Sequence, residues 1–194
     1  MRVIAGEAKG RALQVPRGLK VRPSGSRLRE ALFGMLEHRG AIADARVLDL
    51  FAGSGGLGIE ALSRGASSLV AVERDPAVAR VLAENLERCG FAERARVLVQ
   101  PVASALRRLH ESFDLVLVDP PYRTGAASEA LHDLAAGGFV ADGGFVVIET
   151  ARGEPLTPAP GFACDIARAY GDSEVTLLRF RPPAAAEVDG DARH

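Results

Sequence analysis

From residue 46 the chain alternates two kinds of segment, and that alternation leaves few folds open to it. Short, continuous apolar runs rich in Val and Leu stand at 46–51, 69–73, 96–100, 113–118 and 144–149. Runs of that length without polar interruption are what strands need when both faces are covered, as in parallel sheets. Between them, near 56–64, 76–89, 102–111 and 126–136, apolar residues recur at helical spacing. The second of these is the clearest. Asp75 caps it, Pro76 takes the first helical position, Val78, Val81, Leu82, Leu86 and Cys89 form one stripe, and Gly90 stops it. Strand and helix in repetition predict an α/β fold with helices on both faces of a parallel sheet. After residue 150 the pattern changes. Segments near 162–170 and 174–181 are separated only by the turn Gly171-Asp172-Ser173. They predict a terminal antiparallel hairpin that completes a seven-stranded, mostly parallel sheet.

Ahead of this unit lies a segment of different character. Residues 1–23 hold the short apolar stretches Val3-Ile4-Ala5 and Ala12-Leu13-Gln14-Val15, punctuated by Gly10 and Pro16, which predicts a small β-hairpin arm. A helix follows from about Ser26 to His38, with Leu28, Ala31, Leu32, Met35 and Leu36 on one stripe. Ser24 or Ser26 is its expected cap, and Glu30 is expected in its first turn. The organisation expected is thus an arm over 1–23, one domain over 24–182 and a disordered tail over 183–194. A chain of 194 residues can bury a substantial core in one such domain. No apolar run approaches the roughly 20 residues that span a bilayer, and Met1-Arg2-Val3-Ile4-Ala5-Gly6 breaks too early for a secretory leader. Cys89 and Cys164 stand far apart and are expected as core thiols in a reducing cytoplasm. Four scattered histidines and no cluster of ligands argue against a metal site.

The net charge of −1 conceals an asymmetry. Residues 1–30 carry eight basic side chains (Arg2, Lys9, Arg11, Arg17, Lys20, Arg22, Arg27 and Arg29) against Glu7 and Glu30, so this segment is +6 and the remainder −7. A charge run is often only solvated surface. A basic arm on a mildly acidic body is also the footprint of phosphate contact, and Arg11, Arg22, Arg27 and Arg29 are the candidates for it.

Two stretches carry chemistry. The first, Val47-Leu48-Asp49-Leu50-Phe51-Ala52-Gly53-Ser54-Gly55-Gly56-Leu57-Gly58, is an apolar strand ending in an acid and a glycine turn, where backbone can close around a small charged cofactor. Gly53 to Gly58 also satisfies Gly-x-Gly-x-x-Gly, with Glu73 20 residues beyond Gly53 to grip ribose hydroxyls, so a dinucleotide stays open as the ligand. Asp49 leans the other way. A carboxylate there suits a cationic sulfonium bearing an α-amino group and repels a pyrophosphate.

The second stretch, Asp119-Pro120-Pro121-Tyr122, closes the run Phe113 to Val118. An exocyclic amine on a nucleobase is a poor nucleophile because its lone pair is conjugated into the ring. Acceptors for its N–H bonds favour the pyramidal form that frees the lone pair. The Asp119 carboxylate and the Pro120 carbonyl can supply them, while paired prolines fix φ and remove two competing N–H groups. Tyr122 offers a face on which an extruded base can stack, worth about 1–3 kcal/mol. A sulfonium methyl is already activated, so alignment and charge stabilisation should carry the rate without a strong base. Together the two stretches predict methyl transfer from S-adenosylmethionine, with S-adenosylhomocysteine as product, to a planar nitrogen. Guanine N2 and adenine N6 both satisfy the acidic turn. A DNA-modifying enzyme would need a sequence-reading domain for which this length leaves no room. A nicotinamide-dependent oxidoreductase leaves Asp119 to Tyr122 unexplained. A silent RNA-binding module would not need an intact cofactor loop.

These residues resemble the class I S-adenosylmethionine-dependent methyltransferases, whose fold is Rossmann-like. Among them they are most similar to the bacterial RsmD-type methyltransferases of guanine N2 in small-subunit (16S) ribosomal RNA. The resemblance runs from Met1 to about Arg181. Arg2-Val3-Ile4-Ala5-Gly6, with Lys9-Gly10-Arg11 and Leu13, resembles that family's basic arm, and Arg22-Pro23-Ser24 with Arg27 to Phe33 its entry into the first helix. Asp49 to Gly55 resembles its cofactor loop, Glu73-Arg74-Asp75 its ribose acid, Asp119 to Tyr122 its catalytic turn, and Tyr170-Gly171-Asp172-Ser173 its C-terminal Tyr-Gly-Asp-Thr. The resemblance implies cofactor contacts from Ser24, Asp49, Phe51, Ala52, Gly53, Ser54, Gly55, Glu73 and Arg74. It implies catalysis by Asp119, Pro120, Pro121 and Tyr122, and RNA contacts from Arg11, Arg22, Arg27 and Arg29. The expected setting is a cytoplasmic, metal-free monomer acting on 16S rRNA within a small subunit or its assembly intermediate. Ser24 stands where threonine is usual, and Gly25-Ser26 where an acid is common. Val99-Gln100-Pro101-Val102-Ala103 carries no acid for the adenine amine, which leaves that contact to main chain, Ser104 or a water.

Overall fold

The computed structural model describes residues 1–16 and 25–182. Arg22, Ser24 and the tail over 183–194 lie outside the described residues, and so do the expectations placed on them. The elements are α1 (Gly25–His38), β1 (Arg46–Leu50), α2 (Gly58–Ser63), β2 (Ser68–Glu73), α3 (Pro76–Cys89), β3 (Ala95–Val99), α4 (Val102–Leu106), β4 (Phe113–Val118), α5 (Ala126–Gly137), β5 (Val140–Ala151), β6 (Phe162–Tyr170) and β7 (Ser173–Phe180). No helix among the described residues is long and apolar enough to cross a membrane.

Seven strands form one sheet in the order β3-β2-β1-β4-β5-β7-β6. Strands β1 to β5 are parallel, and β7 lies antiparallel between β5 and β6. The apolar runs are continuous because the central strands are covered on both sides. Val47, Leu69, Ala71, Leu115, Leu117, Val147 and Val175 pack beneath α1, α2, α3 and the arm. Leu48, Leu50, Val70, Val72, Val116, Val118, Val146 and Ile148 face α4 and α5.

Helix α3 follows from its sequence signals. Asp75 Oδ1 accepts from the Ala77 and Val78 amides at 2.8 and 3.4 Å, and Gly90 ends the helix at φ 79°. Its buried face is Ala79, Leu82, Asn85, Leu86 and Cys89. Val78 and Val81 are only half-buried, because the face is rotated toward Asn85, the residue that receives the arm. In α1 the buried side chains are Leu28, Arg29, Leu32, Phe33 and Leu36; the helix begins at Gly25, so Glu30 falls in its second turn rather than its first. Helix α4 ends at Leu106, short of the expected 111, and β5 starts early at Val140, across a register shift opposite Phe113 and Leu115. Cys164 is exposed on the edge strand β6, which corrects its assignment to the core; Cys89 is buried.

The arm is a hairpin held by one bridge, Arg2 to Ala12, with the Val3 amide donating to Arg11 O at 3.0 Å and the Leu13 amide to Met1 O at 2.9 Å. It docks on α2 through side chains of that helix. Glu60 accepts from the amides of Ile4 (2.8 Å) and Ala5 (3.0 Å), and Ser63 Oγ from that of Ala8 (2.9 Å). The approach is close enough to require glycine at position 6. Its φ is +81°, and a Cβ there would sit 1.7 Å from Ser63 O.

Candidate active site

Four neighbouring strands each bring an acid to the carboxyl edge of the sheet: Asp49, Glu73, Asp119 and Glu149. In open α/β sheets this edge is where ligands bind. A pocket of about 650 Å³ lies there. It is lined by Asp49 with Phe51, Ala52, Gly53 and Ser54 of the glycine turn, by Asp119 and Glu149, and by Met1 to Ile4 of the arm with Leu28 and Arg29 of α1.

The turn that forms its floor is strained and clasped. Phe51 adopts φ 64°, a left-handed conformation that costs a bulky residue about 1–3 kcal/mol. The Ala52 amide donates to Val72 O (2.9 Å), and the Gly53 amide to Glu73 Oε2 (3.0 Å). Glu73 Oε1 accepts in turn from the Asp75 amide (2.8 Å), so this acid holds the loop against β2. Asp49 is 1% exposed, and its Oδ2 accepts from the Gly58 amide at 2.9 Å. A Cβ at residue 58 would lie 2.9 Å from the same oxygen, so a carboxylate can approach that closely only over glycine. Burial pushes the Asp49 carboxyl up to about 8, with nearby Asp119 and Glu73 adding to the rise and the Gly58 amide opposing it.

The turn after β4 is fixed at several points. The Tyr122 hydroxyl lies 2.6 Å from Glu149 Oε1, to which it donates, and 2.6 Å from Ser173 Oγ. Ser173 Oγ donates to the same Glu149 oxygen at 3.0 Å. Thr124 Oγ1 donates to Pro121 O (2.8 Å), and Arg123, at φ 58°, donates its amide to Glu154 Oε2 (2.9 Å). The C-terminal hairpin, through Ser173, thereby buttresses the ring that follows the paired prolines.

The structure thus gathers Asp49, Phe51, Ala52, Gly53, Ser54 and Asp119 around one pocket. Gly55 turns toward Leu82 and Ile59 instead, and Arg74 is exposed outside the pocket lining. Two of the candidate phosphate-binding arginines are placed differently from expectation. Arg29 is 5% exposed; its Nη2 donates to Arg2 O (2.6 Å) and its Nε stands 3.8 Å from Glu60. Its charge compensates a buried carboxylate rather than meeting solvent. Arg11 is exposed but donates to the Arg88 carbonyl in the last turn of α3, where a guanidinium satisfies helix-end carbonyls, and it does not line the pocket. Arg27 is exposed on α1. Sequence reasoning missed Glu149, Glu60 and Asn85. Asn85 is fully buried, and its amide accepts from the Gln14 N–H (2.8 Å) and donates to Gln14 O (3.0 Å) and Ser54 O (2.9 Å), tying arm to glycine turn. A polar residue in an apolar helical stripe was the signal that could have found it.

A parallel sheet whose antiparallel β7 is inserted between β5 and β6, with an acid beneath the first glycine turn, defines a class I methyltransferase fold. The profile of the family described as Conserved hypothetical protein 95 matches residues 1–179. Ribosomal RNA small subunit methyltransferase D of Escherichia coli (strain K12) is 40% identical over 193 residues, 98% of this chain and 94% of its own. The protein of that name from Haemophilus influenzae is 36% identical over 160 residues, 80% of this chain and 81% of its own. Among solved structures, yhhF from Escherichia coli superposes with a TM-score of 0.85 at 35% identity, covering 94% of this chain and 99% of that one. TrmN from Thermus thermophilus gives 0.64 at 28% identity, over 84% of this chain and 55% of that one. The chain belongs to the Conserved hypothetical protein 95 family, that of ribosomal RNA small subunit methyltransferase D.

Proposed function

We propose that this protein transfers a methyl group from S-adenosylmethionine to the exocyclic N2 of a guanine in small-subunit (16S) rRNA, and that it does so as a cytoplasmic monomer. The observation that carries this reading is that Asp119 and the buried Asp49 line the same pocket. A buried acid pushed up to about 8 is short of a positive partner, and the cofactor is a cation that fits that need. The names of the relatives in E. coli and H. influenzae support rRNA as the substrate. Asp119 and Glu149, which line the pocket beside Asp49, also oppose a pyrophosphate, which weighs against a nicotinamide cofactor.

The cofactor, when bound, supplies an activated methyl group. Asp49 would pair with its positively charged end, and the Gly53 and Ser54 backbone would hold it at the glycine turn. Glu73 would use its remaining lone pairs on the ribose hydroxyls. Val99, 51% exposed and opposite Glu73 in the β2–β3 register, offers an apolar face for the adenine. Asp119 and the Pro120 carbonyl accept the N–H bonds of the target amine and favour its pyramidal form. Tyr122, its hydroxyl anchored, presents its ring to the extruded base. Calorimetric titration with S-adenosylmethionine and with NADH, followed by tritiated methyl transfer to rRNA as naked RNA and as small subunits, tests the reading. We expect the first ligand alone to bind and the label to enter RNA. Binding of NADH without S-adenosylmethionine would overturn it.

A further inference from the structure

We propose that Glu149 is the residue that selects guanine, accepting the N1–H of the target base while Asp119 accepts an N2–H. The inference rests on the guanine-N2 reading above. Val118 pairs with Ile148 at the end of the parallel β4–β5 register, so Asp119, one residue past β4, follows beside Glu149, which lies within β5. Neighbouring strands lie about 5 Å apart. Both acids line the pocket, and Glu149 is 9% exposed.

The two purines differ at this point. Guanine presents two adjacent donors, N1–H and N2–H, whereas adenine places an acceptor, N1, beside its N6 donor. A pair of carboxylates matches the first pattern and repels the second. Engaging the reacting amine through one oxygen, Asp119 accepts from either purine, and the second acid beside it supplies the discrimination at N1. The Tyr122 and Ser173 hydroxyls both donate to Glu149 Oε1, which fixes the carboxylate while leaving it an acceptor-only group of about four lone-pair positions. The same hydroxyl therefore sets the stacking ring and the reading acid together. A site built to take a hydrogen bond from its substrate rejects an analogue that lacks the donor, because its own buried group is then unsatisfied.

The test uses 2-aminopurine, which keeps the reacting amine but carries an acceptor at N1. Once the modified position has been mapped, rRNA carrying guanine or 2-aminopurine there is assembled into small subunits and offered to the full-length protein. Wild type should prefer guanine in kcat/KM by about 10–100-fold, the worth of one hydrogen bond to a charged acceptor. Glu149→Gln, whose amide can turn either an oxygen or an NH2 toward N1, should narrow that ratio at least tenfold while still binding S-adenosylmethionine. If wild type methylated both bases equally, the inference would fall without recourse to any variant. If Glu149→Gln slowed both in proportion, Glu149 would merely anchor Tyr122 and the inference would fall there too. A wild type inactive on the guanine substrate itself would overturn the guanine-N2 reading, and the selection argument with it.

Discussion

At Asp49 the fold holds a carboxyl that water ionises near pH 4 in a site where burial pushes it up to about 8. Between those values the folded protein binds a proton that the unfolded chain does not, so this group's contribution to stability declines as pH rises through the window. Asp49→Asn keeps an acceptor for the Gly58 amide and removes the titration. Its melting temperature should exceed that of wild type by about 4 °C or more at pH 8, and the advantage should shrink toward pH 4. A gap independent of pH in thermal unfolding would remove the burial argument. The same variant should bind S-adenosylmethionine at least tenfold more weakly. Asp119→Ala is expected to behave oppositely, losing transfer by at least ~100-fold with cofactor affinity within a few-fold; near-normal turnover would take Asp119 out of the chemistry. Asp49, Glu73 and Asp119 were legible because each acid closes or interrupts an apolar run. Val146-Val147-Ile148-Glu149 follows the same rule and could have been read by it. The clasp of Glu73 on the Gly53 amide could not, since backbone donors leave no trace in sequence.

Among the elements, the arm behaves as part of the domain wall rather than as an appendage. Met1 to Ile4 line the pocket, Glu60 grips the arm from α2, and Asn85 joins it to the glycine turn from α3. Asn85→Ala would leave the Gln14 amide and two carbonyls unsatisfied. It should destabilise the protein by about 2–3 kcal/mol, seen in denaturant unfolding, and weaken cofactor binding because Ser54 is released. Loss of stability with unchanged cofactor affinity would show the two ends of that bridge to be independent. The order of strands and helices could be read from periodicity and caps such as Asp75 and Gly90. The ends of α4 and β5 could not, because the register shift opposite Phe113 is set by tertiary packing. The partners of Arg11 and Arg29 were hidden from the sequence for a related reason. Composition counts a guanidinium's charge but does not say whether it meets a phosphate, a helix-end carbonyl or a buried glutamate.

Over the whole molecule, residues 1–30 carry +6 against the −7 of the rest, although Arg2 and Arg29 are engaged internally. Exposed Arg27, on the helix whose Leu28 and Arg29 line the pocket, is the described candidate best placed to meet RNA. Arg27→Ala should raise the KM for rRNA and lower the slope of log affinity against log salt by roughly 0.7–0.9, with cofactor affinity unmoved. An unchanged slope would make it solvated surface. The terminal hairpin was visible in the sequence, but its insertion was not, for nothing local says that β7 rather than β6 adjoins β5. That insertion is what carries Ser173 to Glu149 and Tyr122, and so joins the last motif in the chain to the turn after β4. The atom that receives the methyl group separates a guanine-N2 enzyme from an adenine-N6 enzyme. Small-subunit rRNA lacking the modification, incubated with the protein and S-adenosylmethionine and then digested for nucleoside mass spectrometry, identifies that atom directly. N2-methylguanosine should appear as the only new nucleoside, and Asp119→Ala should not form it. New N6-methyladenosine, or no methylated product from either naked rRNA or assembled subunits, would contradict the account.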